Sequence, residues 1–332
     1  MFLAALAVVL FAGCTSNGEP GEGDGGSPAP TYRPSGKILV LAGRFASQIS
    51  ELDAAKKTEQ EVRLPRFGGA YDNVWPAPDD RFYVIPLVFS GNASHQMFLL
   101  GGKRPEPVGP PVEGVTGYQV TGDNALTWGC PGPMQLLDLS DPTEWKELGD
   151  GCAGSISPDG KRVAYATPTA LYVMDLPDGN PKEVLRFRDL PELRRAHVTP
   201  RSLDAVLWGD PGVAVQVGDA SRSAMVVWRE DGPPVVAPLG NARLGPMRWQ
   251  PGGRLLAFYD YAPAGEVLTL DPDSGETRQI AISDYGRLAW APDGKALVTA
   301  RSQNVMALVD PRDGRQLGTL TASGVPIAWL PA

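Results

Sequence analysis

The sequence predicts an all-β chain folded as a single β-propeller of about seven four-stranded blades, on three observations. A Trp/Pro-Asp-Gly fragment recurs at a spacing of about 40 residues, the size of one blade. Gly and Pro are abundant, 39 and 33 of 332 residues, and in a patterned chain that density means many tight turns between many short strands. The C-terminal segment is an orphan copy of the strand that opens the other repeats, and the first repeat lacks that strand. The hydrophobic content of 42% is ample for a large core. All-β chains of this architecture outgrow the usual domain size, so length does not call for a second domain.

From the N-terminus, residues 1–12 form an uninterrupted apolar run. It is shorter than the roughly 20 residues a spanning helix needs and fits the apolar region of a secretory signal. Phe11-Ala12-Gly13-Cys14 follows, and this segment resembles the lipobox of bacterial lipoproteins, in which small residues precede the modified cysteine. The resemblance implies cleavage before Cys14, diacylglycerol on its thiol and a place in the cell envelope, on the extracytoplasmic side of a bacterial membrane. Residues 1–13 are then a signal peptide. Residues 14–35 contain Gly, Glu, Pro and Ser with almost nothing apolar. Such a segment cannot bury enough surface to offset its ordering entropy and reads as a flexible tether. The propeller is expected over residues 36–332.

The repeat is read from fragments that align. Leu288-Ala289-Trp290-Ala291-Pro292-Asp293-Gly294 matches Met247-Arg248-Trp249-Gln250-Pro251-Gly252-Gly253. Ser155-Ile156-Ser157-Pro158-Asp159-Gly160 and Asn73-Val74-Trp75-Pro76-Ala77-Pro78-Asp79-Asp80 are further copies, Val206-Leu207-Trp208-Gly209-Asp210-Pro211-Gly212 is looser, and residues 117–124 are the weakest. Each unit reads as strand, Pro-Asp-Gly turn, strand, loop, strand, Asp-x-x-x-Gly turn, strand. Asp-Gly supplies the positive-φ residue that a tight hairpin needs. Asp at a strand end can accept backbone N–H bonds from the turn that follows. Trp is large enough to fill the wedge between blades. One blade leaves both faces bare, so blades must stack in a ring. The boundaries fall near residues 66, 112, 150, 197, 241 and 283. The orphan copy, Pro326-Ile327-Ala328-Trp329-Leu330-Pro331, is expected to pair with the first blade as its innermost strand and close the ring.

The Pro-Asp-Gly-Lys pattern resembles TolB-like propeller repeats, and Asp310-Pro311-Arg312-Asp313-Gly314 with its flanks resembles YVTN-type surface propellers. The resemblance covers most of residues 36–332. It rests on turn and core residues and therefore speaks to fold rather than to function.

The formal net charge of −8 provides no basic stripe for phosphates, which argues against nucleic acid as a partner. With Cys14 lipidated, Cys130 and Cys152 remain, an even number in an oxidising compartment, and a disulfide between them would staple the third blade to the fourth. His95 and His197 form no metal-ligand spacing with each other or with the cysteines. No Gly-x-Ser-x-Gly elbow accompanies either histidine. Asp271-Pro272-Asp273-Ser274-Gly275 and its counterpart at Asp310 lack the full oxygen set of a calcium loop and read as turns. No metal, other cofactor or catalytic residue is assigned. Asn92-Ala93-Ser94 matches a glycosylation acceptor that a bacterial lipoprotein would rarely use.

Propeller ligands sit where the starts of the inner strands and the loops between second and third strands converge. Here those positions bring Tyr71 and Asp72, Tyr118, Asp260 and Tyr261, Asp284 and Tyr285, and Arg301. Tyrosines beside acids can stack on a sugar or cap a cationic group; equally, each Tyr can simply pack against its own blade. The leading expectation is a membrane-anchored, non-enzymatic module that binds a protein or small-molecule ligand across one rim. The alternatives are an extracytoplasmic carbohydrate-active hydrolase or lyase, with acids, Arg and Tyr converging on the channel, and a purely structural role in an envelope complex.

Overall fold

The computed structural model describes residues 32–42, 48–62, 70–79, 81–87, 95–130, 132–219, 221–261, 265–302 and 304–332. Cys14 and the signal and most of the tether lie outside the described residues, as do Asn92-Ala93-Ser94. Among the described residues no helix is long and apolar enough to cross a membrane.

Seven antiparallel sheets of four strands make seven blades. Blade 1 holds β1 (Lys37–Ala42), β2 (Gln48–Asp53) and β3 (Thr58–Val62). Blade 2 is β4 (Ala70–Ala77), β5 (Arg81–Leu87), β6 (His95–Leu100) and β7 (Glu106–Val112). Blade 3 is β8 (Gly117–Thr121), β9 (Asn124–Trp128), β10 (Pro133–Asp138) and β11 (Lys146–Asp150). Blade 4 is β12 (Ala153–Ile156), β13 (Arg162–Ala166), β14 (Ala170–Asp175) and β15 (Lys182–Arg186). Blade 5 is β16 (Ser202–Gly209), β17 (Gly212–Gly218), β18 (Ser223–Arg229) and β19 (Gly232–Gly240). Blade 6 is β20 (Leu244–Trp249), β21 (Leu256–Asp260), β22 (Glu266–Leu270) and β23 (Thr277–Ile282). Blade 7 is β24 (Leu288–Trp290), β25 (Leu297–Ser302), β26 (Val305–Val309) and β27 (Gln316–Thr321). The last strand, β28 (Gly324–Leu330), pairs antiparallel with β1, from Lys37 opposite Leu330 to Ala42 opposite Gly324. It is the innermost strand of blade 1, as expected; of the six expected boundaries, 66, 197, 241 and 283 fall between two sheets, and 112 and 150 fall on the last residues of β7 and β11.

The inner strands β28, β4, β8, β12, β16, β20 and β24 touch in that order and close into a ring. Middle strands are apolar on both faces because each face meets a different blade. On β17, Val213, Val215 and Val217 pack toward blade 4 with Leu171 and Ala164, while Ala214 packs toward blade 6 with Met247 and Phe258. The inner-strand tryptophans serve as wedges and also find partners for their indole N–H. Trp249 donates to the Leu207 carbonyl at 3.1 Å and Trp290 to the Arg248 carbonyl at 2.9 Å, each one blade back. Trp329 donates to the Ser35 carbonyl at 2.7 Å. Residues 32–35, the end of the segment read as a tether, therefore lie against the ring, where Tyr32 packs on the blade 7 to blade 1 core.

The turns follow the chemistry of the repeat. Asp271 Oδ1 accepts the Asp273 N–H at 2.8 Å and Asp310 Oδ1 accepts the Arg312 N–H at 3.0 Å, so these carboxylates are committed to their turns. Cys130 and Cys152 are joined by a disulfide, with Cα atoms 4.4 Å apart, which ties blade 3 to blade 4. One feature departs from the all-strand pattern. Between blades 4 and 5 the chain makes a 3-10 turn (Phe187–Asp189) and a short helix, α1 (Pro191–Arg195). Phe187, Leu190, Leu193 and Val198 fold this insertion onto the core shared by blades 4 and 5.

Candidate binding site at the mouth of the ring

The inner strands surround a central channel of about 530 Å³, lined among others by Trp75, Tyr118, Gln119, Arg248, Tyr261 and Arg287. In each antiparallel blade the start of the first strand and the end of the second lie at the same end. That end is the mouth where the tyrosines were expected to converge.

The best-defined corner of the mouth lies between blades 6 and 7. The β21 strand ends in Asp260, whose Oδ1 accepts the Arg243 N–H at 2.9 Å, and the Tyr261 N–H donates to the Arg243 carbonyl at 2.8 Å. Asp260 is buried and holds the start of blade 6. The Tyr261 ring meets Tyr259 edge-on, with centroids 4.9 Å apart at 82°. Tyr259 in turn donates its hydroxyl to the Ser283 carbonyl at 2.7 Å, and burial raises its pKa above the usual phenol range. Two glycines make room for Tyr261. A Cβ on Gly245 would lie 2.9 Å from its ring, and one on Gly286 would lie 2.9 Å from both the Tyr259 and Tyr261 rings. Gly286 also has φ +63°, a conformation that side chains disfavour. Tyr261 is thereby held in position and still 56% exposed, and Tyr285, on the loop into β24, is 41% exposed. Asp284 beside it faces solvent.

The remaining expected positions divide. Tyr118 lines the channel but packs between blades 2 and 3, its ring 5.6 Å from that of His95 and tilted by 53°. Burial raises the pKa of its hydroxyl, which has no hydrogen-bond partner among the described residues. Arg301 reaches Gln316 Oε1 on the outermost strand of blade 7, at 3.4 Å. Tyr71 and Asp72 lie near the start of β4, and their side chains lie outside the described residues. His197 is exposed in a left-handed conformation, φ +53°, just after α1. Among the described residues no group of three or more His, Cys, Asp or Glu is placed to hold a metal ion.

Sequence reasoning passed over Arg248 and Arg287, which bring two guanidinium groups to the channel wall. The signal was present in the repeat itself. The residue before the inner-strand tryptophan lines the channel in five blades, as Val74, Leu207, Arg248, Ala289 and Ala328. Four of these are apolar, so a charged residue in that column marks a departure from the core pattern.

No family profile and no curated protein sequence matches the chain. Solved structures do resemble it. A protein from Lactobacillus plantarum superposes with a TM-score of 0.59 at 13% identity, over 89% of this chain and 98% of that one. A protein of Bacteroides uniformis provisionally described as a 6-phosphogluconolactonase gives 0.59 at 10% identity, over 88% and 98%. Apo AztD from Citrobacter koseri gives 0.57 at 12% identity, over 89% and 97%. At these identities the likeness establishes the fold: the chain is a seven-bladed β-propeller, distantly similar to these proteins.

Proposed function

We propose that the protein is a binding module of the cell envelope, anchored through lipid on Cys14, that engages a protein or small-molecule ligand at the mouth of its propeller. One observation carries this reading. The exposed large hydrophobic side chains among the described residues are Tyr261 and Tyr285, at the blade 6 to blade 7 corner of that mouth, and Ile282, at the end of the outermost strand of blade 6. Tyrosines held by their surroundings give contact area at small entropic cost, which suits them as anchors of an interface. Asp284 adds a charge beside the tyrosines, and Arg248 and Arg287 line the adjoining channel. A rigid ring tethered at one end presents such a rim to a partner without any rearrangement of its own.

The test is cross-linking in native cells followed by affinity capture, with wild type and a Tyr261→Ala/Tyr285→Ala variant compared by mass spectrometry. A stoichiometric partner captured by wild type and lost in the variant supports the reading. Identical capture by both, or recovery of the protein alone together with turnover of a substrate by the purified chain, overturns it.

A further inference from the structure

The end of the ring opposite Tyr261 carries a second concavity, where the hairpin turns of blades 4 and 5 meet. Trp208 on β16, Val213 on β17 and Trp228 on β18 are register partners across three adjacent strands, so their side chains leave the sheet on one face. That face packs against blade 4. Val213 is fully buried. The two half-buried tryptophans wall a pocket of about 520 Å³, whose rim carries Arg162, Asp210, Glu230 and Asp231.

The protein already places one cation in this setting. Arg162, reaching over from blade 4, sets its guanidinium carbon 4.9 Å from the centroid of the Trp208 ring and pairs with Glu230 at 3.0 Å. An aromatic face with a carboxylate beside it is a favourable seat for a cation. The other wall repeats those parts: Trp228, with Asp231 and Asp210 on the rim. Arg229 does not fill that seat, because Asp273 at 2.6 Å and the Pro272 carbonyl at 2.9 Å hold its guanidinium. Once Arg162 is set against Glu230 and Arg229 against Asp273, Asp210 and Asp231 remain, exposed and without an ion pair among the described residues. An anion would be repelled by these two carboxylates, whereas a cation over the indole face would be attracted by both the ring and the acids.

We propose that this slot binds an organic cation, a guanidinium or alkylammonium group seated on Trp228 with Asp210 and Asp231 as counter-charges. The site is separate from the mouth and does not rest on the reading given for it. The same group can arrive as a free small molecule or as the side chain of a partner, and the experiment separates the two sources.

The full chain is titrated calorimetrically with choline and, separately, with a capped pentapeptide carrying one central arginine, at matched ionic strength. Saturable binding is expected. Asp210→Asn/Asp231→Asn and Trp228→Ala should each weaken it about tenfold, and Tyr261→Ala should leave it unchanged. Tighter binding of choline assigns the site to free small cations, and tighter binding of the peptide assigns it to a partner segment. Absence of saturation by either probe up to about 10 mM overturns the proposal, as does equal affinity in the wild type and the Asn variant. The Asn substitutions lie at exposed turn positions, so they decide the matter even where Trp228→Ala fails to fold.

Discussion

At the scale of single residues, the mouth is shaped by what is missing as much as by what is present. Tyr261 stands over two glycines, and Gly286 is constrained twice, by its positive φ and by the two tyrosine rings against it. Gly286→Ala should therefore cost about 1–2 kcal/mol and displace Tyr261, read as a lower urea midpoint and a changed aromatic circular dichroism. An unchanged midpoint would mean that the tyrosine corner yields freely and does not preorganise a binding surface. A second residue-scale prediction concerns acid. Asp219 accepts the Ser221 N–H, the Ser221 hydroxyl and the Arg222 N–H at 2.8, 2.8 and 3.0 Å. These bonds, the Ser221 N–H foremost, hold its pKa at about 2, below the ordinary value of about 3.9. The folded state thus binds this proton more weakly than the unfolded chain does. The stabilisation is complete above the unfolded value and is lost as pH falls through about 2. Wild type should lose more stability than Asp219→Asn between pH 5 and pH 2, followed by urea midpoints; parallel curves would remove Asp219 from the acid response. Asp53 is lowered by the Lys56 N–H and the Lys56 ammonium, and Asp138 and Asp159 by the hydroxyls of Ser140 and Ser157 together with the N–H groups of their turns. These aspartates are therefore turn anchors, a role legible in the sequence because Asp recurs in the Pro-Asp-Gly turns and, in five of the seven blades, where the third strand stops. Tyr118 shows the limit of that reading. Its place at the start of an inner strand is legible, but its burial against His95 depends on a neighbouring blade that no local pattern encodes.

Among the elements, β28 matters most for its length. It supplies the inner strand of blade 1, stands between β24 and β4, and buries Ile327 and Trp329. Removing residues 325–332 would open blade 1, break two blade contacts and orphan the edge of β1. Loss of the Trp329 side chain alone should cost about 3–5 kcal/mol, and the truncation more than that, with a large fall in melting temperature or loss of folded protein. A melting temperature equal to that of the intact chain would mean that the ring does not depend on this closure. Closure could be foreseen because Ile327-Ala328-Trp329 repeats the Trp strand of other blades without a blade of its own. Blade boundaries could be foreseen for a related reason, since Pro-Asp-Gly turns and Asp corners sit at fixed places in each unit. The helical insertion before blade 5 could not. Five residues are too few to form a stable helix by propensity, and α1 exists because Leu190, Leu193 and Val198 bury against a core assembled from two blades. Tertiary burial decides such an element, and the sequence pattern around it reads only as an interruption of the repeat.

At the scale of the whole molecule, the ring separates the packed blade interfaces from the two faces that carry the candidate sites. Among the described residues the buried apolar clusters lie at the blade interfaces, which leaves the two faces of the ring to carry different chemistry on one scaffold. One end has tyrosines above an arginine-bearing channel; the other has tryptophans among carboxylates. How such a body meets its ligands depends on how it is held, and the lipobox-like Phe11-Ala12-Gly13-Cys14 makes that a measurable property. A single acyl chain binds membranes marginally, whereas two chains anchor stably, so diacylglycerol on Cys14 would keep the propeller in the membrane fraction through high-salt washing. Cys14→Ser removes the acceptor thiol and leaves residues 32–332 unaltered. The variant should be released from the membrane fraction or retained unprocessed at higher mass, with the melting temperature of the folded part unchanged. Release by salt alone from wild type would indicate a charge-held association instead. Equal membrane retention of wild type and Cys14→Ser, both cleaved at the same site, would exclude lipid on Cys14 and move the search for an anchor to the propeller itself.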